Sequence, residues 1–424
     1  MEIRRSGLIG HPLGHSISPV IHNYLGRRLG VEVDYTLMDT SKENLESSIL
    51  GLAENGICGV NVTVPYKTDV IKYLNDINDA VSAIGACNTI VTKDGRLTGY
   101  NTDCLGLSRA LKDHGITLKD KRVAILGDGG ASKAVRYVCN SEGAAKILQF
   151  NRTVRQDNIL PLEDAPGYAA GEPFDVVIQS TSVGMFPDCS ACVIDDMAFY
   201  ENVSTGYDII YNPLETEFMK RIKGCGGTAH NGLRMLLYQG VEAFKLFHGV
   251  ADIAHDIEMD CFLNMLISMN RALVLCGMMG CGKSTIGRRL CDDSGYIFID
   301  TDEMIESDTG MSINDIFAKM GEEAFRRMES DTLIKLNKML DNDPSHKYVI
   351  SLGGGMCTKN NIPLIRSLGV TAYLRQNAQT LAARLKNDTK RPLLKNDDTL
   401  KTITDLLNKR ESLYMEASDE IVDY

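Results

Sequence analysis

The stretch Leu273–Ser284, LVLCGMMGCGKS, constrains this chain more than any other. Gly277-Met-Met-Gly-Cys-Gly-Lys-Ser284 satisfies G-x-x-x-x-G-K-[ST] in full, after an apolar strand candidate and before the helix-like TIGRRLCDD. Such a loop works where a strand hands the chain to a helix. Its glycines let backbone N–H groups approach phosphate, and the helix N-terminus favours negative charge. Lys283 is placed for the β- and γ-phosphates and Ser284 for Mg2+. Gly277, Gly280, Cys281, Gly282 and Thr285 complete the candidate ATP loop. A chance glycine turn is the alternative. The loop begins about two-thirds of the way along 424 residues, so at least one further domain must precede it.

Short runs rich in Val and Ile alternate with helix-like periodicity throughout: Gly59–Pro65, Arg122–Gly127, Phe174–Thr181, Arg271–Gly277 and Lys347–Leu352. This alternation implies α/β domains with mostly parallel sheets. Segment 251–270 has helical spacing at Ile253, Ile257, Cys261, Leu263 and Leu266, without the Gly, Ser or Pro of a flexible linker. It reads as the last helix of the first unit, with the boundary near Met269. The domain expectation is therefore 1–269 and 270–424.

A net charge of -11 argues against nucleic acid as a partner, since phosphate backbones reward basic surfaces. Small anionic ligands need only a local basic pocket. No apolar run approaches the roughly 20 residues of a membrane span, and Met1-Glu-Ile-Arg-Arg leads straight into a strand candidate. Twelve scattered cysteines then read as free thiols in a reducing cytosol, with disulfides as the alternative. The expected location is cytoplasmic, and the sequence leaves the oligomeric state open.

A phosphate loop does not name its acceptor. Ile299-Asp-Thr-Asp302 ends the next strand candidate, putting two carboxylates at its C-terminal edge, where open α/β sheets bind ligands. Gly321-Glu-Glu-Ala-Phe-Arg326, Leu352-Gly-Gly-Gly355, Lys390-Arg-Pro-Leu-Leu394 and Arg410-Glu-Ser-Leu-Tyr414 follow in order. Singly, these are surface arginines and tight turns. Together they resemble shikimate kinase over most of residues 271–424. The resemblance implies a P-loop domain of the nucleoside-monophosphate-kinase type, using ATP and Mg2+ to phosphorylate shikimate. It implies that Asp302 binds the ring hydroxyls and takes the proton of the attacking one, and that Arg326 and Arg410 clamp the carboxylate beside Gly354. Arg391 would meet the transferring phosphate from a lid, and Asp300 would orient the Mg2+ shell through water. Paired arginines suit a carboxylate because the guanidinium fork binds it bidentately. That family continues beyond the strand equivalent to Glu420–Tyr424 into a closing helix over the adenine, where this sequence stops. The departure bears on the nucleotide affinity and the stability of this half.

In the first part, Arg122–Ser132 is a strand running into Gly127-Asp-Gly-Gly-Ala-Ser132, a G-x-G-x-x-G turn with Ser132 at the third glycine. The next strand candidate ends in Asn151-Arg-Thr153, with Arg155 beyond. NAD-selective sites place an acid there, whereas Arg152 suits the 2′-phosphate of NADP. An ordinary βαβ turn is the alternative. Ser18-Pro19 also reads as a helix start. His11, His15 and His22 read as structural, since no matching ligand set accompanies them.

Gly10-His-Pro-Leu-Gly-His-Ser-Ile-Ser-Pro19, Asn61-Val-Thr-Val-Pro-Tyr-Lys67, Gly85-Ala-Cys-Asn-Thr89 and Tyr100-Asn-Thr-Asp103 carry the rest, with Thr181–Met185, Tyr207–Tyr211 and Asn231–Gln239. The ensemble resembles shikimate dehydrogenase over about residues 1–267. It implies an α/β catalytic part (1–103 with 232–267) and a Rossmann NADP part (104–231), reducing 3-dehydroshikimate to shikimate. Ser16, Ser18, Thr63, Asn88, Tyr211 and Gln239 would bind substrate, supported by Asn61. Gly127, Gly129, Gly130, Ala131, Asn151, Arg152, Thr153, Ile209 and Gly232 would bind NADP(H). Lys67 and Asp103 form the catalytic pair: reducing a ketone puts negative charge on its oxygen, so a proton donor must lie within reach. Asp128 stands where the family commonly has Ala, and Ile209 where it often has Met. The whole chain thus reads as a fusion of two consecutive steps of aromatic biosynthesis. Its rivals are a dehydrogenase with an inactive kinase half and a metabolite-sensing regulator.

Overall fold

Val and Ile runs become strands here because β-branched side chains fit a pleated, buried surface. The computed structural model describes residues 4–14, 16–154, 156–386 and 399–424. His15, Arg155 and Arg391 lie outside the described residues. Among the described residues seventeen strands form three sheets.

The first sheet holds β1 (Arg4–Gly10), β2 (Val33–Asp39), β3 (Ile57–Val62), β4 (Asp76–Ile77), β5 (Thr89–Lys93) and β6 (Arg96–Tyr100), ordered β2-β1-β3-β5-β6-β4. Its β1 pairs parallel with β2 and β3, whereas β5 runs antiparallel to both β3 and β6. The sheet is therefore mixed, with three parallel pairs and two antiparallel ones, while the other two sheets are parallel as expected. Asp94 and Gly95 take φ of 51° and 73°, the two-residue turn that closes the β5–β6 hairpin.

The second sheet holds β7 (Arg122–Leu126), β8 (Lys146–Asn151), β9 (Leu160–Pro161), β10 (Phe174–Gln179), β11 (Val203–Asp208) and β12 (Thr228–His230). It is parallel throughout, in the order β12-β11-β10-β7-β8-β9. The chain leaves β7 in one direction and β10 in the other, so the crevice between their C-terminal ends is a switch point where such sheets bind ligands. Phe150, Phe174, Phe199 and Phe218 fill the core on this sheet.

The third sheet, β13 (Ala272–Cys276), β14 (Ile297–Asp300), β15 (Tyr348–Ser351), β16 (Val370–Arg375) and β17 (Glu420–Asp423), is also parallel, ordered β14-β15-β13-β16-β17. Its switch point lies between β13 and β16.

The chain divides into two compact units, residues 1–253 and 254–424. The division falls between Ile253 and Ala254 and not near Met269. Helix Leu233–His248 ends at Gly249 with φ of 67°, a glycine stop that closes the first unit. Helix His255–Met269 is buried continuously from Glu258 to Ile267 and belongs to the second unit. Lys347 Nζ donates to the carbonyls of Ile267, Ser268 and Asn270 at 2.9, 2.9 and 2.8 Å, satisfying the end of that helix. A helix apolar on nearly every side must be enclosed, and here the third sheet's unit encloses it.

Candidate active sites

In the first unit Asn101 caps helix Thr102–Asp113, accepting the Cys104 N–H at 3.2 Å. Asp103 thus lies in the first turn, where the helix dipole favours a carboxylate. Lys67, from the loop after β3, donates to Asp103 Oδ2 at 2.6 Å, and Asn88 Nδ2 donates to Oδ1 at 2.8 Å. Both oxygens of one carboxylate are held by donors from separate strand ends. The pair is nearly enclosed, with side chains 16% and 9% exposed.

Behind the pair runs a buried hydrogen-bond chain that motif reading did not single out. The Tyr35 hydroxyl donates to Asn61 Oδ1 at 2.8 Å, and Asn61 Nδ2 donates to Thr89 Oγ1 at 3.2 Å. Thr89 lies 3.1 Å from the Thr102 hydroxyl, and the Thr102 N–H donates to Asn88 Oδ1 at 2.7 Å. Burial pushes the Tyr35 phenol well above its usual pKa, so it stays a donor. The Asn61 at its centre was expected to support the substrate residues.

Ser16 donates to Ser18 Oγ at 3.2 Å at the start of helix Ser18–Leu29. The N-cap is Ile17, so Ser18 is the first helical residue and not the cap. Thr63 follows β3, its N–H donating to Ile9 O at 2.9 Å. Gln239 is fixed by helix packing: a Cβ on Gly106 would stand 2.8 Å from the Gln239 nitrogen, so only glycine lets the two helices cross this closely. Half-buried Tyr211 follows β11, burial raising its phenol pKa. Ser16, Ser18, Thr63, Tyr211 and Gln239 make no hydrogen bond to the Lys67–Asn88–Asp103 trio among the described residues.

Gly127 leaves β7 with φ of 121°, and helix Gly130–Ser141 starts at once. Lys67 side-chain carbons lie 3.5 Å from where a Cβ on Gly130 would stand, so the ion pair and the glycine turn face each other. Fully buried Ser132 explains the departure from a third glycine. Its hydroxyl accepts the Gly129 N–H at 3.0 Å and meets Ser180 Oγ at 2.8 Å, tying the turns after β7 and β10 together. The helix cap is thus closed by Ser132. Ala131 lies in the helix's first turn. Asn151 Nδ2 donates to Thr153 O at 3.0 Å, leaving Arg152 exposed just beyond β8. Ile209 N–H donates to Gln179 O at 3.0 Å, and Gly232 N–H to Ile210 O at 2.9 Å. An open glycine turn flanked by an exposed guanidinium fits a phosphorylated dinucleotide.

No cluster of three or more His, Cys, Asp or Glu side chains is placed to hold a metal ion among the described residues. His22 is instead buried, stacked on Tyr35 at 4.2 Å between ring centroids, while His11 pairs with Asp39 at 2.7 Å. All twelve cysteines are free.

In the second unit Gly277, Gly280 and Gly282 take φ of 137°, 80° and 100°, a backbone that residues with a Cβ rarely adopt. Lys283 begins helix Lys283–Ser294, its Nζ donating to Gly277 O at 2.9 Å and Met278 O at 3.2 Å. The Ser284 hydroxyl donates to Asp300 Oδ2 at 2.7 Å. A hydroxyl and a carboxylate meeting beside the phosphate loop are the oxygen donors a Mg2+ shell uses. Asp300 ends β14 and caps helix Thr301–Thr309, accepting the Asp302 N–H at 3.0 Å. Asp302 therefore sits in the helix's first turn and not at the strand end. Exposed Thr285 and buried Cys281 line the same cavity, of about 560 Å3, as Asp300, Asp302 and Gly354.

Arg326 follows a break at Gly321 in Ile313–Asn342 and pairs with Glu329 at 2.8 Å and Glu322 at 3.0 Å. Its guanidinium lies 2.5 Å from a Cβ built on Gly355, and Arg410 donates to Gly354 O at 3.1 Å. Both arginines thus meet at the glycine triplet after β15. Glu329, 1% exposed, was missed from sequence; burial raises its pKa, opposed by Arg326. Its only sequence signal is the i,i+3 spacing from Arg326.

An enclosed lysine–carboxylate pair facing a dinucleotide turn, and a phosphate loop facing an acid and two arginines, define a two-unit α/β enzyme that handles nucleotides in both units. Residues 8–90 match the family model for the shikimate dehydrogenase substrate binding domain, and residues 279–424 that for shikimate kinase. The shikimate dehydrogenase (NADP(+)) of Geobacillus kaustophilus is 39% identical over 254 residues, covering 57% of this chain and 92% of that protein. That of Methanococcus maripaludis is 37% identical over 255 residues, covering 57% and 91%. A chorismate mutase/shikimate 5-dehydrogenase fusion from Clostridium acetobutylicum superposes with a TM-score of 0.59 at 30% identity, over 62% of this chain and 97% of that one. The chain belongs to the shikimate dehydrogenase family, and its second unit carries the shikimate kinase signature.

Proposed function

We propose that this chain reduces 3-dehydroshikimate to shikimate in its first unit and phosphorylates shikimate at the 3-hydroxyl in its second. The observation that carries the reading is that each compact unit gathers its own set of reactive groups. Structures of relatives support the first reaction: one superposing with a TM-score of 0.55 at 32% identity, from Thermus thermophilus, is a complex with NADP(H) and shikimate.

Gly127, Gly129, Gly130, Ala131, Arg152, Ile209 and Gly232 would hold NADPH, which when bound would supply the reducing hydride. Lys67 and Asp103 then manage the proton that the carbonyl oxygen must gain. Lys67 Nζ carries three protons and Asp103 uses one oxygen to aim it, so the lysine is the donor nearest to hand. Asn88, locked by Thr102 and Asp103, presents the substrate side of that pair. Ser16, Ser18, Thr63, Tyr211 and Gln239 complete the polar wall around the ring.

ATP with Mg2+ supplies the phosphoryl group to the second unit, the loop glycines and Lys283 holding its phosphates and Ser284 with Asp300 the ion's oxygen shell. Asp302 takes the proton from the attacking hydroxyl. Arg326 and Arg410 bind the carboxylate and orient the ring. Little covalent work falls to the protein in such a transfer; positioning and charge neutralisation supply the rate.

The test uses two full-length variants. Lys67→Ala should lose reduction of 3-dehydroshikimate and still release ADP with added shikimate. Lys283→Met should do the reverse. Far-UV circular dichroism and thermal melts check that both variants are folded, and mixed they should restore the two-step conversion. A folded Lys283→Met protein without reductase activity would contradict separate sites.

A further inference from the structure

Helix His255–Met269 stands one strand ahead of the phosphate loop, and the reactions above make no use of it. Its Asp260 is 0% exposed. A single oxygen, Oδ1, accepts from Arg289 Nη2 at 2.7 Å and from the Tyr424 hydroxyl at 2.7 Å. Arg289 belongs to the phosphate-loop helix, and Tyr424 follows β17. One buried carboxylate therefore gathers three elements. Removing one member of a buried ion pair leaves the other charge uncompensated, so Asp260 and Arg289 depend on each other.

Arg289 and Tyr424 line the phosphate-loop cavity, as does Asp256 one turn before Asp260. Arg384 joins that lining, and its Nη1 donates to Gly280 O at 3.2 Å. The loop and Lys283 account for the phosphates, and Asp302 with Gly354 for the acceptor. Besides Ile286, Ser351 and Leu352, the rest of the wall offers two guanidinium groups, a phenol and an exposed carboxylate. Guanidinium planes stack on flat rings, and a carboxylate accepts from hydroxyl or amino donors. That is the chemistry of a nucleoside.

We infer that Asp260 is a positioning residue for the nucleoside part of the phosphoryl donor, holding Arg289 and Tyr424 on the cavity wall. A helix outside the phosphate-loop signature thereby completes the donor site. The inference rests on the kinase reading above. Asp260 acts through Arg289 and Tyr424 and touches no reacting atom.

The experiment uses the full chain and its Asp260→Asn and Tyr424→Phe variants, with ATP, shikimate and Mg2+. Asp260→Asn should raise the KM for ATP about tenfold, the scale of a lost hydrogen bond to a charged group, with the KM for shikimate and NADPH-dependent reduction unchanged. Tyr424→Phe should raise the same constant less. The rise in melting temperature on adding ATP should shrink in both. Equal rises in both kinase KM values, or a lowered ligand-free melting temperature with an unchanged KM for ATP, would overturn the inference by marking the cluster as structural. If Asp260→Asn does not fold, Tyr424→Phe decides. Should unaltered protein show the ATP-induced rise but release no ADP, the kinase reading fails, and the thermal comparison still decides the role of Asp260.

Discussion

Arg152 shows how much one exposed side chain can be asked to do. It stands just past β8, where a cofactor's ribose would lie, with no acid beside it in Asn151-Arg-Thr153. A guanidinium there favours the extra phosphate of NADPH through charge-assisted hydrogen bonds. Arg152→Ala should therefore raise the KM for NADPH by about 10- to 100-fold while leaving that for NADH within about twofold. Steady-state kinetics with both cofactors check this, and equal use of the two by unaltered protein would contradict it. Lys67 and Asp103 were legible in the sequence because each sits inside a short motif. Tyr35 and Glu329 were not. A tyrosine in an alternating strand and a glutamate on a long helix look like ordinary residues, and only strand register and helix packing reveal what they hold.

The Val- and Ile-rich runs could be read as strands because periodicity is local. The β5–β6 hairpin turned on the Asp94-Gly95 pair, a local cue overlooked inside an otherwise parallel pattern. The placement of helix His255–Met269 had no local cue: its spacing announces a helix, but which sheet encloses it depends on Lys347, about 80 residues away. Helices Ser18–Leu29 and Leu233–His248 also set an acid limit on the first unit. Burial, aided by the charge of His248, lowers the His22 pKa to about 3, and burial, aided by Arg4, lowers that of His248 to about 4. Both stay neutral in the folded state below pH 6.5, while the unfolded chain takes up protons. Stability is therefore lost as pH falls from about 6.5 toward 4, by up to about 1.4 kcal/mol per pH unit for each imidazole. Asp208 works the other way: burial raises it to about 7, so its native proton adds stability as pH falls from about 7 toward its ordinary value. Thermal melts between pH 7.5 and 5.5 should show a net loss for the first unit, to which buried His114 and His230 add in the same direction, and His22→Phe, which keeps a ring against Tyr35, should make it shallower. An equally steep loss in that variant would contradict the assignment.

On the scale of the whole molecule, two units follow each other across the few residues between Gly249 and Ala254, each with its own parallel sheet and its own nucleotide turn. No helix among the described residues is long and apolar enough to cross a membrane. We propose that both units are active in one chain and in sequence. The most direct measurement gives unaltered protein 3-dehydroshikimate, NADPH, ATP and Mg2+ and follows NADPH loss and ADP release separately. Both signals should appear, with ADP approaching the amount of NADPH consumed, and no ADP should form from 3-dehydroshikimate when NADPH is left out. NADPH consumed with no ADP released, even after shikimate is added directly, would contradict it.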